Sequence, residues 1–478
     1  MPEPRLWQLT AGSAVLGLVL AASAVAAAGP WDNGQRKAER SRAVAAERTG
    51  GAHHAAARAA EGLPPAPEPA PSAPAVLGPL GPGDPAPAAA GRSAGRPKDL
   101  AAALVPLLGD PGLGPLRTAS VVDVATGKQL YGQGAATPMT PASTIKIATA
   151  AAALTALGPG HRIPTAVAAT PDGRRVTLAG GGDPTLDRAG LRALAAGAAR
   201  ALRDRGATKA TLTYDASRYT GPAVHRIGPN DNIAPVSALM LDEGRTDGST
   251  SGPAPRSADP ARDAAAAFAE LLGQAGITVQ GAPVAGRAPA GSAVVARTYS
   301  RPLAALVERM LTNSDNDLAE ALARQTALKA KKPASFAGAE QAVRDRLKTL
   351  GVPLAGARLA DGSGLDRTDR LSAAALTAIL TRAADPDRPE LRPVLTGLPV
   401  GGFTGTLAGR YTDPATTPGA GAVRAKTGTL TGVNTLAGTV VTADGRLLAF
   451  AFLAGRTPSP YTAQPALDRL SAALAPNG

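Results

Sequence analysis

Hydrophobic and polar positions fall into three regimes along the 478 residues. Ala11 to Ala28 is an unbroken run of small and apolar residues, preceded by Arg5 and closing on A-x-A choices that end at Ala26 or Ala28. Residues 1–28 therefore read as a secretory signal peptide. The run also reaches the lower length limit of a membrane-spanning helix, so cleavage and anchoring both stay open. Residues 29–97 are charged at first and then Pro/Ala-rich, as in Pro64-Pro65-Ala66-Pro67-Glu68-Pro69. Prolines at this density block helix and sheet, which predicts a disordered, extended linker. From residue 98 the pattern turns globular.

In that globular part, Thr118 to Val124 alternates loosely and predicts a strand, with a turn at Ala125-Thr126-Gly127-Lys128 and a short strand near Leu130-Tyr131. Ser143 to Leu157 is rich in Ala, Ile and Leu and free of Gly and Pro, which predicts a buried helix opening at the serine. Near the C-terminus, Val423 to Ala425, Thr435 to Thr442 and Leu447 to Ala454 predict strands, the last two joined by a hairpin turn at Ala443-Asp444-Gly445-Arg446. Pro465 to Leu474 predicts a closing helix with the proline in its first turn, where a missing N–H costs little. Strands at both ends with helices between predict one sheet assembled from both termini. Between them, Arg175 to Leu178, Ala210 to Tyr214 and Ile277 to Gln280 are strand-like runs of their own. The expected division is a catalytic domain of 98–163 with 297–478, interrupted by one or two inserted subdomains at 164–296.

Composition narrows the chemistry. Only 3% of residues are aromatic against 44% hydrophobic, so the core must be built from Ala, Val and Leu. The net charge is +13, most of it after residue 97. A basic surface favours an anionic wall polymer, a membrane surface or nucleic acid, although solubility is the plainer reading. No basic stretch interleaved with aromatics is present, which argues against nucleic acid. Cysteine is absent, which excludes disulfides, thiolate zinc sites and a cysteine nucleophile. Of the four histidines, His53 and His54 read as solvated linker, and His161 and His225 as lone structural residues. No paired-histidine metal spacing occurs after residue 97.

Three short segments carry the candidate chemistry: Ser143-Thr144-Ile145-Lys146, Ser314-Asp315-Asn316 and Lys426-Thr427-Gly428. A serine hydroxyl is a poor nucleophile until a base takes its proton. Residues three apart share a helix face, so Lys146 reaches Ser143. Burial among Ile145, Ile147 and Ala148, with the positive charge of Lys426 nearby, is expected to lower the Lys146 pKa and free it as general base. The first helical turn, including the Ser143 N–H, offers oxyanion donors. In the same site Ser314 would pass a proton to the leaving amine. Asn316 would bind the substrate amide and orient Lys146, and Asp315 would be structural. Lys426 and Thr427 would bind a terminal carboxylate, the Thr429 N–H would be the second oxyanion donor, and Gly428 would let a substrate backbone approach. Taken singly, each segment has a plainer reading: a chance S-x-x-K, a helix N-cap, and a surface hairpin with a solvated lysine.

In that order the triple resembles penicillin-binding proteins and serine β-lactamases. Over roughly residues 99–475 the chain is similar to the D-Ala-D-Ala carboxypeptidase/endopeptidase family typified by penicillin-binding protein 4, of low-molecular-mass class C. Matching patches are Pro141-Ala142 before Ser143, Gly181-Gly182-Asp183-Pro184-Thr185-Leu186, Ala234-Pro235-Val236-Ser237-Ala238-Leu239, Asp361-Gly362-Ser363-Gly364-Leu365 and Gly405-Thr406-Leu407. The long interval between Lys146 and Ser314 is also a hallmark of that family. The resemblance implies an α/β (α+β) fold: a transpeptidase/β-lactamase-like domain, its antiparallel sheet flanked by helices, with subdomains inserted between the first two motifs. It implies hydrolysis of terminal D-Ala-D-Ala bonds or D-alanyl cross-links of peptidoglycan stem peptides through a Ser143 acyl-enzyme. It further implies acylation by β-lactam antibiotics, no metal or organic cofactor, and a location outside the cytoplasm at the wall or membrane face. The long linker and the patchy match of the insertion depart from the pattern.

Other readings remain at this level. A second reading is a β-lactamase or esterase on the same fold; class A β-lactamases use a glutamate-held water, and no equivalent glutamate motif stands between Asn316 and Lys426, which leaves Glu320 and Glu340 as residues to weigh. A wall-binding or antibiotic-sensing module would not acylate. A Ser-His-Asp hydrolase would rest on Gly91-Arg92-Ser93-Ala94-Gly95, which has no strand before it. The acids Asp183, Asp231 and Asp242 of the insertion read as turn and surface residues rather than as receptors for a cationic side chain.

Overall fold

The computed structural model describes residues 97–477, so the signal-like run, the Pro/Ala-rich linker and the G-x-S-x-G match lie outside the described residues. In chain order the elements are α1 (Pro97–Leu108), β1 (Leu116–Asp123), β2 (Gln129–Gln133), α2 (Lys146–Leu157), β3 (Pro164–Ala169), β4 (Arg175–Ala179), α3 (Arg188–Arg203) and β5 (Lys209–Asp215). They continue with α4 (Pro260–Gln274), β6 (Thr278–Val279), β7 (Val284–Ala285), β8 (Ala293–Tyr299), α5 (Leu303–Asn313), α6 (Asn316–Lys329), α7 (Phe336–Thr349) and α8 (Ala373–Ala383). The last are α9 (Arg392–Thr396), β9 (Val423–Leu430), β10 (Val433–Val441), β11 (Leu447–Gly455), α10 (Pro460–Ala472) and the single turn α11 (Leu474–Asn477).

One antiparallel sheet is built from both ends of the described chain in the order β2-β1-β11-β10-β9. Its central strand β11 shows why the pattern there is a continuous apolar run. Ala449, Ala451 and Leu453 face a helical layer that includes α2, α5, α6, α7 and α8. Leu448, Phe450, Phe452 and Ala454 face α1 and α10 on the other side. Side chains alternate across a strand, so both faces need apolar residues when both are covered. With so few aromatics the helices come close on alanine. In α2 every residue from Lys146 to Leu154 is buried, as expected of a helix apolar all round.

A second sheet, β6-β5-β4-β3-β8, draws its strands from residues 164–299 and packs α3 and α4 against a core of its own. Its strand β8 ends at Tyr299, three residues beyond the boundary expected at 296. Two further boundaries differ from expectation. The closing helix starts at Pro460, capped by the Ser459 hydroxyl, so Pro465 lies inside it rather than in its first turn. Ser314 does not start a helix. It ends α5 in a left-handed conformation, and Asp315 caps α6 by accepting the Leu318 N–H at 2.9 Å. Among the described residues no helix is long and apolar enough to cross a membrane.

Phe450 is fully buried and its ring lies 5.3 Å from that of Phe452. Phe450→Ala is expected to cost about 3–5 kcal/mol of stability, read from urea unfolding followed by circular dichroism.

Candidate active site

The α2 helix does not open at the serine. Ala142–Ile145 form a tight 3₁₀ turn and the α-helix begins at Lys146. The turn is strained at Ala142, whose φ is +46° although it is not a glycine. Its surroundings hold it there. The Pro141 carbonyl accepts hydroxyl bonds from Thr144 at 2.6 Å and from Thr435 of β10 at 2.8 Å. Two glycines press on the turn. A Cβ on Gly364 would stand 2.1 Å from the Ala142 carbonyl oxygen, and one on Gly428 would stand 2.8 Å from that of Pro141. Gly428 therefore lets β9 come close to the nucleophile turn.

Lys146 is completely buried. Its Nζ donates to Ser143 Oγ at 2.9 Å, Asn316 Oδ1 at 2.7 Å and the Ser363 carbonyl at 2.6 Å. The last two partners are acceptors only. A neutral amine keeps two N–H groups for them and turns its lone pair to the Ser143 hydroxyl. The pKa of Lys146 falls to about 8, because burial outweighs the upward pull of Asp361, Asp315, Glu320 and Asp317.

Lys426 departs from its expected role. Thr427 and Thr429 line the cleft in front of Ser143, whereas the Lys426 side chain is fully buried and donates to the Thr427 carbonyl at 2.8 Å. Lys426 is itself pushed well below the ordinary lysine range, by burial first and then by the charge of Lys146. The K-T-G segment sits within β9, at the edge of its sheet, so a cleft-facing backbone is left without a strand partner.

The second motif reaches the site from the α5–α6 corner. Left-handed Ser314 lines the cleft. Asn316 turns its oxygen to Lys146, because its Nδ2 donates to the Asn232 carbonyl at 2.9 Å. Asp315, the helix cap, also faces Arg309 at 3.5 Å, in keeping with a structural role. The cleft has a volume of about 380 Å³ and brings together Ser143, Ser314, Asn316, Thr427 and Thr429. Thr406 joins them, accepting the Thr427 hydroxyl at 2.9 Å. Asp183, Asp231 and Asp242 do not line it. Asp183 instead caps its own turn at Thr185.

The model of the D-Ala-D-Ala carboxypeptidase 3 (S13) family matches residues 100–255 and 246–474. The chain belongs to that family. Its activity is that of a serine-type D-Ala-D-Ala carboxypeptidase. A carboxypeptidase of Mycobacterium tuberculosis is 41% identical, covering 77% of this chain and 82% of the relative. Carboxypeptidase DacB of Mycolicibacterium smegmatis is 39% identical, covering 87% and 90%. The crystal structure of penicillin binding protein 4 from Haemophilus influenzae shares the fold, with a TM-score of 0.65 at 23% identity over 79% of this chain and 97% of that one.

Neither glutamate weighed for a β-lactamase presents a free carboxylate to the carboxypeptidase's serine. Glu320 accepts the Gly362 and Ser363 N–H groups at 2.9 and 3.0 Å and pairs with buried Arg324 at 3.1 Å. Glu340 faces Arg344 on the surface of α7. Sequence reasoning missed the Ser363 carbonyl, Asn232, Thr406 and His225. The D-G-S-G patch was the available signal for Ser363, since two glycines around a serine mark a backbone that must come close to something. The His225 ring meets Asp361 through Nε2 at 2.9 Å and accepts the Ile227 N–H on Nδ1 at 3.2 Å, which defines the tautomer with its proton on Nε2. Burial disfavours a charged ring, but Asp361 outweighs it and raises the imidazole pKa.

Gly364→Ala is expected to cost at least about 1–3 kcal/mol and to slow acylation, because the new methyl strikes the residue before the nucleophile. Gly445→Ala is the control: its φ is +85° like that of Gly364, but it has open space around it. Equal losses of melting temperature and of acylation rate in the two variants would contradict this account.

Proposed function

We propose that Ser143 is the acylated nucleophile of this carboxypeptidase and Lys146 its general base. The observation that carries the reading is the three-partner cage of Lys146, with Ser143 Oγ 2.9 Å from Nζ. The Ser143 oxygen attacks the carbonyl of the penultimate D-alanine as its proton passes to Lys146. The N–H groups of Ser143 and Thr429 receive the developing oxyanion. The C–N bond then breaks, and the leaving D-alanine amine takes a proton delivered by the Ser314 hydroxyl, which Lys146 restores. Water next attacks the Ser143 ester, gives its proton to Lys146, and the serine oxygen leaves reprotonated. Thr427, backed by the buried Lys426, holds the terminal carboxylate at the edge of β9, while Asn316 orients Lys146. The same geometry serves D-alanyl cross-links.

The substrate is the stem peptide of peptidoglycan, and β-lactams acylate the same serine. A crystal structure of Haemophilus influenzae penicillin binding protein 4 is described as complexed with a β-lactam. Action on peptidoglycan calls for an exported enzyme, secreted or anchored, at the cell wall or the outer face of the cytoplasmic membrane, with the basic surface available to anionic wall or membrane polymers. Residues 1–28 act as signal peptide or anchor and 29–97 as linker. Residues 98–163 with 297–478 form the catalytic domain and 164–296 its insertion, whose last strand runs on to Tyr299. No resident metal is needed, because the acids around the site already have partners. Asp361 and Glu320 are engaged by N–H donors, and Glu243, Asp315 and Asp317 each face an arginine.

Intact mass of the full-length protein after benzylpenicillin is expected to show one stable adduct, absent from Ser143→Ala. Rapid loss of penicillin without an adduct would instead indicate a β-lactamase. Neither adduct nor loss would indicate a binding module.

The pH dependence tests the base. Lys146 must be unprotonated to accept the serine proton, so acylation is expected to rise with pH through about 8 and level off above it. A rate still climbing through pH 10, as an ordinary lysine would give, contradicts the assignment. Lys146→Ala is expected to slow acylation by about 10²–10⁴-fold.

A further inference from the structure

A buried pair of side chains lies beneath the lysine, and the reaction as described makes no use of it. His225 belongs to the 164–296 segment and is buried, with its ring edge-on to Phe336 at 5.3 Å between centroids. Its partner Asp361 is 136 positions away, and the Nε2 to Oδ2 distance is 2.9 Å. Asp361 is the hub of a turn. Its Oδ1 accepts the Gly364 N–H at 2.6 Å, and its Oδ2 accepts the Asp366 N–H at 2.7 Å and the Ser363 hydroxyl at 3.2 Å, besides facing His225.

The link from this hub to the lysine is a single peptide group. The Ser363 carbonyl that accepts Lys146 Nζ and the Gly364 N–H held by Asp361 belong to the same planar unit. A carbonyl has no torsion of its own, so it is aimed only by rotating its peptide plane. Whatever fixes the Asp361 carboxylate therefore fixes one of the acceptors that orient Lys146. His225 fixes the oxygen that the Gly364 N–H does not use, and the Ile227 N–H in turn fixes the ring.

We propose that His225 is a positioning residue for Lys146, acting through Asp361 and the Ser363–Gly364 peptide. The inference rests on Lys146 being the general base. It gives the inserted segment a part in the chemistry as well as in walling the cleft. His225, Glu320 and Asp361 also have the composition of a metal-binding trio. Their oxygens are committed to Gly362, Ser363, Gly364, Asp366 and Arg324, so the trio serves the turn instead.

The charges give this role a signature. The groups facing His225 are Asp361, Glu320 and Asp366. Those acting on Lys146 are Asp361 first, then Asp315, Glu320 and Asp317, all pulling its pKa up against burial, with Lys426 as its neighbouring cation. The Nε2–H bond takes up part of the Asp361 charge. Without it, Asp361 stays ionised on the Gly364 and Asp366 N–H groups and holds the proton on Lys146 more strongly.

Two variants separate the bonds. His225→Asn keeps an acceptor for the Ile227 N–H but is too short to reach Asp361. His225→Gln places an amide N–H where Nε2 was. The measurement is the benzylpenicillin acylation rate of the full-length protein across pH, with melting temperature recorded for each variant. His225→Asn is expected to lose about 10-fold or more at pH 7 and to move the acid limb up by about one unit. His225→Gln is expected to stay within about 3-fold of the wild type with its limb in place. A folded His225→Asn with wild-type rate and limb overturns the proposal, and so does an equal loss in both variants. Should His225→Asn not fold, His225→Gln decides alone, and a displaced limb there overturns it. Failure of the underlying reading is seen separately, as a Lys146→Ala protein that acylates at the wild-type rate.

Discussion

A lysine with no exposed surface is the constraint on which this site depends. Burial is what makes Lys146 a base near neutral pH, and burial of an amine is tolerated only when its N–H groups have acceptors. The two acceptors come from distant parts of the chain, Asn316 at the α6 N-terminus and the backbone of Ser363, while the lone pair meets the Ser143 hydroxyl one turn back. Moving any one of them leaves either an unsatisfied donor or a lone pair aimed away from the serine. The close packing around the turn follows from the same need. Gly364 and Gly428 are where backbones must come nearer than a side chain would allow, and Ala142 between them is held at a positive φ.

Electrostatics around the lysine are a balance rather than a simple desolvation. Four carboxylates pull its pKa up while burial pulls it down, and each acid is itself tied to a partner. Asp361 has His225 and two N–H groups, Glu320 has Arg324, Asp317 has Arg256, and Asp315 has Arg309. Two of these partners, His225 and Arg256, lie in the segment inserted between the first two motifs. The insertion also supplies the Asn232 carbonyl that fixes the Asn316 amide. It is thus part of the support of the general base as well as a wall of the cleft.

The three motifs, their order and the main strands were legible because each rests on a local pattern: an i, i+3 pair, alternating apolar runs, an Asp-Gly hairpin. The sheet shared by β1, β2 and β9–β11 followed from strands at both ends of the folded part. What was not legible was set at long range. The partner of His225 is far away in sequence, and the Ser363 carbonyl that holds Lys146 is a backbone group with no residue signature. Lys426 was expected in front of the nucleophile and to lower Lys146. Its burial depends on which face of β9 meets the cleft, and the motif alone does not say. At the α5–α6 corner the N-cap reading holds, but which residue is the cap was not legible. Serine and aspartate are both good caps, and only the left-handed turn at Ser314 hands the role to Asp315.

The account stands or falls on the protonation state of Lys146. The most direct measurement is a titration of the lysine side chains by NMR, in protein labelled with ¹³C at lysine Cε, with Lys146 assigned from the spectrum of Lys146→Arg. The account predicts a resonance that titrates near pH 8 and is absent from the variant. A Lys146 signal that stays protonated to pH 10 would contradict it, and the serine would then need another base.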